Sequence, residues 1–290
     1  MAVCAPPALY AQAPQPARPK VLAFFTPGGE LDHVLFAQQA MRAFGAGADA
    51  GGYVFTATSD WDALSETTLR DVRIVIWLND MPHTPAQRAA FEQYMQRGGR
   101  WLGFHVSGFG SSAWPWFTDF MGGGRFSASN WPSLPARVNA DDPAHPILKG
   151  VPATFVAPIN EWYAWTPSPR VNPDVKVLLT LDASNFPLGV KNTLNGGDIP
   201  VAWIHTKYRM VYLNFGHGDR IYSAPPLPAM IDNALRFLRV QTTYREVARA
   251  LNQAGVEHIV IKGFTQAPDY VPHPHLRVQS DLDLYCPQDY

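Results

Sequence analysis

Cysteine is nearly absent from this chain. Its 290 residues hold two, Cys4 and Cys286, one near each end. That excludes a disulfide framework and a cysteine-built zinc cluster. It also leaves the body of the chain no thiol to use as a nucleophile, so a Cys-dependent glutamine amidotransferase is excluded. Charge is scarce too: charged residues make up 16%, and 23 basic against 24 acidic side chains leave a net charge of −1. With so small a field, attraction to nucleic acid or to an anionic membrane surface is not expected. No apolar run is long enough to span a bilayer. Hydrophobic residues reach 47%, as in a packed α/β protein with one large domain and room for a smaller piece.

The order of local signals sets the architecture. Lys20 to Thr26 reads as a buried first strand. A helix follows over Leu31 to Phe44, with Leu31, Leu35, Met41 and Phe44 near helical spacing and Gly45 as its stop. The stretch Gly45 to Gly51 does not follow a strand and lacks dinucleotide-fingerprint spacing, so it reads as a flexible loop. Tyr53 to Thr58 and Ile74 to Leu78 are further strands. Thr84, Pro85 and Gln87 spell a capping box for a helix whose apolar face is Ala90, Phe91, Tyr94 and Met95, ending at Gly98-Gly99. Trp101 to Phe104 is a fourth strand. Alternation of strand and helix predicts right-handed crossovers and a mostly parallel sheet flanked by helices. Beyond it, Ala136 to Asn139, Val175 to Leu181, Pro200 to His205 and Met210 to Phe215 read as strands. The last two are joined tightly at Lys207-Tyr208 as an antiparallel hairpin. A helix over Pro228 to Val240 closes the domain.

The segment Gly103-Phe104-His105-Val106-Ser107 carries the chemistry. A buried strand running into Gly-x-His-x-Ser is where α/β proteins turn sharply and hold one side chain above the sheet; here that side chain is an imidazole. His217 follows another strand, His33 lies just after the first, and Glu161 sits in a long loop beside Trp162 and Tyr163. If the strand ending at His205 runs antiparallel, that residue lies at the opposite sheet edge. Three roles are open. His105 and His217 with Glu161 could exchange protons with a sugar hydroxyl or carbonyl. With His33, they could hold a divalent metal through nitrogen and oxygen ligands, although no local spacing such as His-x-x-x-His supports this. Each could also be an ordinary hydrogen-bonded strand end. Among the loop aromatics Trp114, Trp116, Trp131, Trp162 and Trp165, the choice for stacking on a pyranose is Trp131 and Trp162, with Tyr163 beside them. His33 and Ser107 are further candidate substrate contacts, Ser107 alternatively serving as a backbone cap for the next helix.

Several separated pieces together resemble the trehalose-utilisation (ThuA-like) family, whose fold is similar to class I glutamine amidotransferases. They are Gly98-Gly99 to Ser107, His145-Pro146-Ile147 with Gly150-Val151-Pro152, Asn160-Glu161-Trp162-Tyr163, Pro200-Val201-Ala202-Trp203, and Leu213-Asn214-Phe215-Gly216-His217-Gly218. The chain departs from the family at Tyr208-Arg209, where glycine is usual. The resemblance covers about residues 20–240 and implies a role in carbohydrate metabolism. The partner is then a small-molecule sugar or glycoside, bound or acted on at a site without a cysteine nucleophile. A non-catalytic carbohydrate-binding module is the alternative.

Residues 1–13 end in Ala11-Gln12-Ala13, a small-x-small pattern like a secretory cleavage site, and a Pro-rich linker follows. Residues 1–19 are thus expected to be a disordered lead or signal-peptide remnant, which favours a periplasmic or secreted location over a cytoplasmic one. Residues 241–290 resemble the truncated start of a nucleotidyltransferase family through Lys262, Gly263, Arg277, Asp281 and Asp283. Asp281 and Asp283, two apart on a strand, face the same way and could share a Mg²⁺. A helix over Tyr244 to Ala254 and strands over His258 to Ile261 and Leu282 to Tyr285 complete the expected piece. Nucleotide transfer is not expected, because such palms need a further carboxylate from a later strand.

Overall fold

The structure is a computed structural model that describes residues 17–110, 114–185, 198–253, 255, 259–260 and 284–285. Its centre is a nine-stranded sheet built from β1 (Lys20–Phe24), β2 (Val54–Thr58), β3 (Val72–Trp77), β4 (Arg100–Phe104), β6 (Leu134–Ala140), β7 (Thr154–Asn160), β9 (Val175–Leu181), β10 (Pro200–His205) and β11 (Arg209–Leu213). The order across the sheet is β2-β1-β3-β4-β11-β10-β9-β6-β7. From β2 to β11 every neighbour is parallel, and from β11 to β7 every neighbour is antiparallel. Two strands, β10 and β6, therefore run against the other seven. A small second sheet pairs β5 (Arg125–Ser129) with β8 (Tyr163–Thr166).

Alternation along the strands feeds two cores. Val21, Ala23, Leu102 and Phe104 face α1 (Leu31–Gly51) and α5 (Leu227–Gln253). Leu22, Phe24 and Trp101 face α3 (Pro85–Gln96) and α4 (Pro115–Phe120), with α2 (Glu66–Leu69) nearby. Residues two apart on a strand share a side, so a sheet covered on both faces reads as nearly continuous apolar runs. Of the loop tryptophans, Trp114, Trp162 and Trp165 are buried and Trp116 is half-buried; Trp131 alone is exposed, at 75%. The capping box holds as read: Thr84 accepts from Gln87 N–H, and the Gln87 side chain accepts from Thr84 N–H.

Two helix readings need correction. The first helix does not stop at Gly45; it runs through the small-residue stretch to Gly51 and ends with Gly52 in the left-handed region. Its buried face is Phe36, Ala37, Ala40 and Phe44, whereas Leu31 is exposed. Glycine and alanine there are not loop signals. A Cβ at Gly51 would lie 2.3 Å from the Tyr53 ring, and the Tyr53 hydroxyl donates to Phe44 O. Packing of the following strand over a low-profile helix offsets the poor helix propensity of glycine. At the other end, the expected helices over 228–240 and 244–254 are one continuous helix, α5. The two-stranded pair β12 (Ile259–Val260) and β13 (Leu284–Tyr285) lies within the two C-terminal strands read from the sequence. Lys262, Gly263, Arg277, Asp281 and Asp283 lie outside the described residues, as do residues 1–16.

Candidate functional site

Because seven strands point the same way, the loops after β1, β4, β11 and β7 emerge along one edge, where open α/β sheets bind ligands. Each loop delivers one polar group. His33 comes from the first turn of α1 after β1, His105 directly after β4, His217 after β11 and Glu161 directly after β7. The ring centres of His33 lie 5.0 Å from His105 and 5.1 Å from His217, and those of His105 and His217 are 5.6 Å apart. Glu161 Oε2 is 3.5 Å from His105 Nε2 and 3.9 Å from His217 Nε2. His205 lies at the far edge, since β10 runs antiparallel to β11.

Local backbone explains why His105 projects. It opens a 3-10 turn, His105 to Gly108, with φ at +43°, a region that costs an L residue energy and recurs at functional sites. Gly216 makes room for it: a Cβ there would lie 2.6 Å from the His105 Cβ. The ring stacks on Tyr163, with centres 4.1 Å apart and planes at 21°, and its Nδ1 lies 3.3 Å from the carbonyl oxygen of Asn214.

Two asparagines lace the loops together. Asn160 Oδ1 accepts the N–H groups of Gly216 and His217, and its Nδ2 donates to Asn214 O. Asn214 Oδ1 accepts from Tyr163 N–H. Three further groups were not singled out from the sequence. Glu30 caps α1 by accepting from Asp32 and His33 N–H, and its Oε2 is also 3.3 Å from His217 Nε2. Asp32 Oδ2 is 3.4 Å and Ser133 Oγ 3.2 Å from His217 Nδ1. Glu30 was legible in principle as an acidic N-cap of α1, three residues before His33. Ser133, and Ser129, whose hydroxyl donates to Glu161 Oε1, had no local signal.

Electrostatics set the charge states. Burial, reinforced by the neighbouring His105 ring, holds the His33 imidazole down at about 4. Burial likewise lowers His105, which is fully enclosed, although Glu161 opposes the shift. Burial would raise Glu161, but the facing His105 ring and the Ser129 hydroxyl outweigh it and hold the carboxyl at about 2. At neutral pH the site therefore presents an ionised Glu161 to neutral His33 and His105 rings.

Two predicted contacts need correction. Trp162 is fully buried, its indole N–H donating to Leu134 O and its ring edge-on to Phe215; it offers no face for a sugar. Ser107 is buried, its hydroxyl has no hydrogen-bond partner among the described residues, and α4 starts at Pro115 behind Trp114, so it caps nothing. Tyr163 is buried under His105, its hydroxyl 3.4 Å from Glu161 Oε2. Trp131 remains on the surface, its ring centre 6.5 Å from that of His217. A cavity of about 190 Å³ lined by Gly108, Phe109, Phe117, Met121 and Phe126 lies beyond Tyr163, and none of the site histidines lines it. Phe109 and Phe126 both pack on the Tyr163 ring.

Residues 20–238 match the family model described as ThuA, trehalose utilisation. The chain belongs to the ThuA family. A protein described as ThuA-like from Bacteroides uniformis is 44% identical, with a TM-score of 0.74, over 81% of this chain and 96% of its own. A second ThuA-like protein, from Parabacteroides merdae, shares the fold at a TM-score of 0.56 with 13% identity, covering 76% of this chain and 90% of its own. No curated protein matches the chain. Membership accords with the mixed α/β sheet, and it places the chain in a family associated in general with trehalose utilisation. The ThuA match ends at Leu238, inside α5, so residues 241–290, expected from the sequence to be nucleotidyltransferase-like, lie outside it and that expectation has no support from the comparisons. Among the described residues no helix is long and apolar enough to cross a membrane.

Proposed function

We propose that the cluster over the sheet edge binds trehalose or a related glycoside and acts on it by proton transfer, without a cysteine nucleophile. One observation carries this reading: His33, His105, His217 and Glu161 arrive from four separate loops and meet beside an exposed indole, Trp131. A neutral imidazole accepts a proton from a sugar hydroxyl, and the ionised Glu161 beside it stabilises the imidazolium that forms. In this reading His105 and His217 exchange protons, and Glu161 Oε2 lies 3.5 Å and 3.9 Å from their Nε2 atoms. Trp131 supplies an apolar face for a pyranose ring, the usual complement to a few convergent polar groups in a sugar site.

The test is calorimetric binding of trehalose and related glycosides, with turnover followed by product analysis, on the unsubstituted chain and on His105→Ala. Retained binding with lost turnover is expected. Loss of binding with no turnover in either protein indicates the non-catalytic binding module. Failure of every glycoside to bind overturns the reading.

A further inference from the structure

We infer that His33, His105 and Glu161 hold one divalent transition-metal ion, through Nε2 of each imidazole and Oε2 of the carboxylate. This rests on the same site as the proposed function, but it assigns His105 to the ion and leaves His217 as the imidazole that exchanges protons.

The unused atoms carry the argument. Nε2 of His33 and Nε2 of His105 are both buried and make no well-formed hydrogen bond among the described residues, Glu161 Oε2 standing 3.5 Å from the second. A buried polar nitrogen left unpaired is costly, and here two poorly satisfied nitrogens stand in one place. Each ligand is engaged on its other atom. His33 Nδ1 faces the Glu30 carboxylate at 3.5 Å. His105 Nδ1 lies 3.3 Å from Asn214 O, where donation to that carbonyl leaves Nε2 as a lone pair. Glu161 Oε1 accepts the Ser129 hydroxyl. This is the outer shell that metal-binding histidines and carboxylates carry, which fixes their tautomers and leaves one atom of each for the ion.

The remaining geometry agrees. The ligand atoms of the triad all lie within 4.8 Å of one another. Bonds of about 2.0–2.2 Å place neighbouring ligands roughly 3.4 Å apart, so closure asks for side-chain rotations of about an ångström. The alternative triad, Glu30, His33 and His217, is less suited, because the Glu30 carboxylate already caps α1 and its Oε2 faces His217 at 3.3 Å. Two imidazoles and one carboxylate suit zinc, manganese, iron(II) or cobalt rather than magnesium or calcium. Such a set leaves coordination positions open, and His217 and Trp131 stand beside it, where a sugar oxygen could complete the sphere.

The experiment uses the full chain, stripped with a chelator and titrated with Zn²⁺ and, for its visible absorption, Co²⁺. One equivalent is expected, with Co²⁺ bands showing nitrogen and oxygen ligation. The isosteric variant Glu161→Gln and the variant His33→Gln should each weaken binding at least ~100-fold, while His205→Gln, at the opposite sheet edge, should not. Circular dichroism confirms that each variant is folded. A misfolded His33→Gln leaves Glu161→Gln to decide. No stoichiometric binding, or binding indifferent to Glu161→Gln, overturns the inference. If metal binds as expected but no glycoside does, the proposed function fails and the metal site stands. If the stripped chain and the unsubstituted chain bind glycoside alike and no metal is taken up, the reverse holds.

Discussion

Replacing His105 by glycine and, separately, by alanine isolates the backbone strain at the centre of the site. His105 is the one non-glycine residue with positive φ among the described residues, at +43°. The left-handed region costs an L residue roughly 1–2 kcal/mol, because Cβ crowds the following carbonyl. Glycine escapes that cost but adds about 0.4–1 kcal/mol of conformational entropy to the unfolded chain. Both variants lose the imidazole, its stack on Tyr163 and its approach to Glu161, so those losses cancel in the comparison. The glycine variant should therefore be more stable than the alanine variant by roughly 0.5–1 kcal/mol. In an ordinary helix or strand the order is reversed by about the same amount, which makes the sign the test. Urea unfolding of both variants at one pH reads it directly, and in a domain of this size the difference amounts to about 1–4 °C in Tm. Alanine equal to or more stable than glycine would refute the claim that the turn after β4 holds His105 under strain.

Stability should also depend on pH through two histidines away from the site. Burial, with Lys176 nearby, takes His145 from 6.5 down to about 4, and burial takes His205 to about 4 as well. The unfolded chain then binds more protons below 6.5, so their contribution is complete above that value and is lost as pH falls towards 4. For His145, 3% exposed, this is on the order of 3 kcal/mol; denaturant titrations at pH 4.5 and 7.5 compared with His145→Gln check it. The two tryptophans that were first paired as sugar contacts should separate. Trp162→Ala should cost about 3–5 kcal/mol of stability, whereas Trp131→Ala should change stability by less than ~0.5 kcal/mol and weaken glycoside binding, both read by unfolding and calorimetry. Thr84→Ala removes the acceptor for Gln87 N–H and should destabilise the fold by about 1 kcal/mol, measured by chemical denaturation.

Patterns that arise within a dozen residues were legible before any coordinates. The capping box at Thr84 to Gln87, the strands Val175–Leu181 and Pro200–His205, the hairpin at Lys207-Tyr208 and the turn at His105 all follow from local sterics and hydrogen bonding. The positions of His33, His105 and His217 next to strand ends followed from the strand pattern, whereas Glu161 reads as part of a long loop and in fact directly follows β7, a strand the local pattern does not announce. Where the reading went astray, a distant partner had overridden a local rule. The Gly45 to Gly51 stretch is helical because Tyr53 packs over it. Trp162 left the surface because its indole N–H found Leu134 O and its ring found Phe215.

The metal question shows the same division. The rule that seeks two histidines at helical spacing describes ligands borne by one element, and no such spacing occurs in the segments that build this site. Here each ligand comes from a different loop, His105 lying 72 positions after His33 and Glu161 56 positions after His105, so no short window along the chain contains two of them. Residue chemistry and the strand ends that carry it were encoded locally. Which of those groups touch, which nitrogen is left unpaired and which carboxylate stays ionised depend on sheet order, on the asparagine contacts between loops and on burial. Those are properties of packed neighbours far apart in sequence, and only folding brings them into contact.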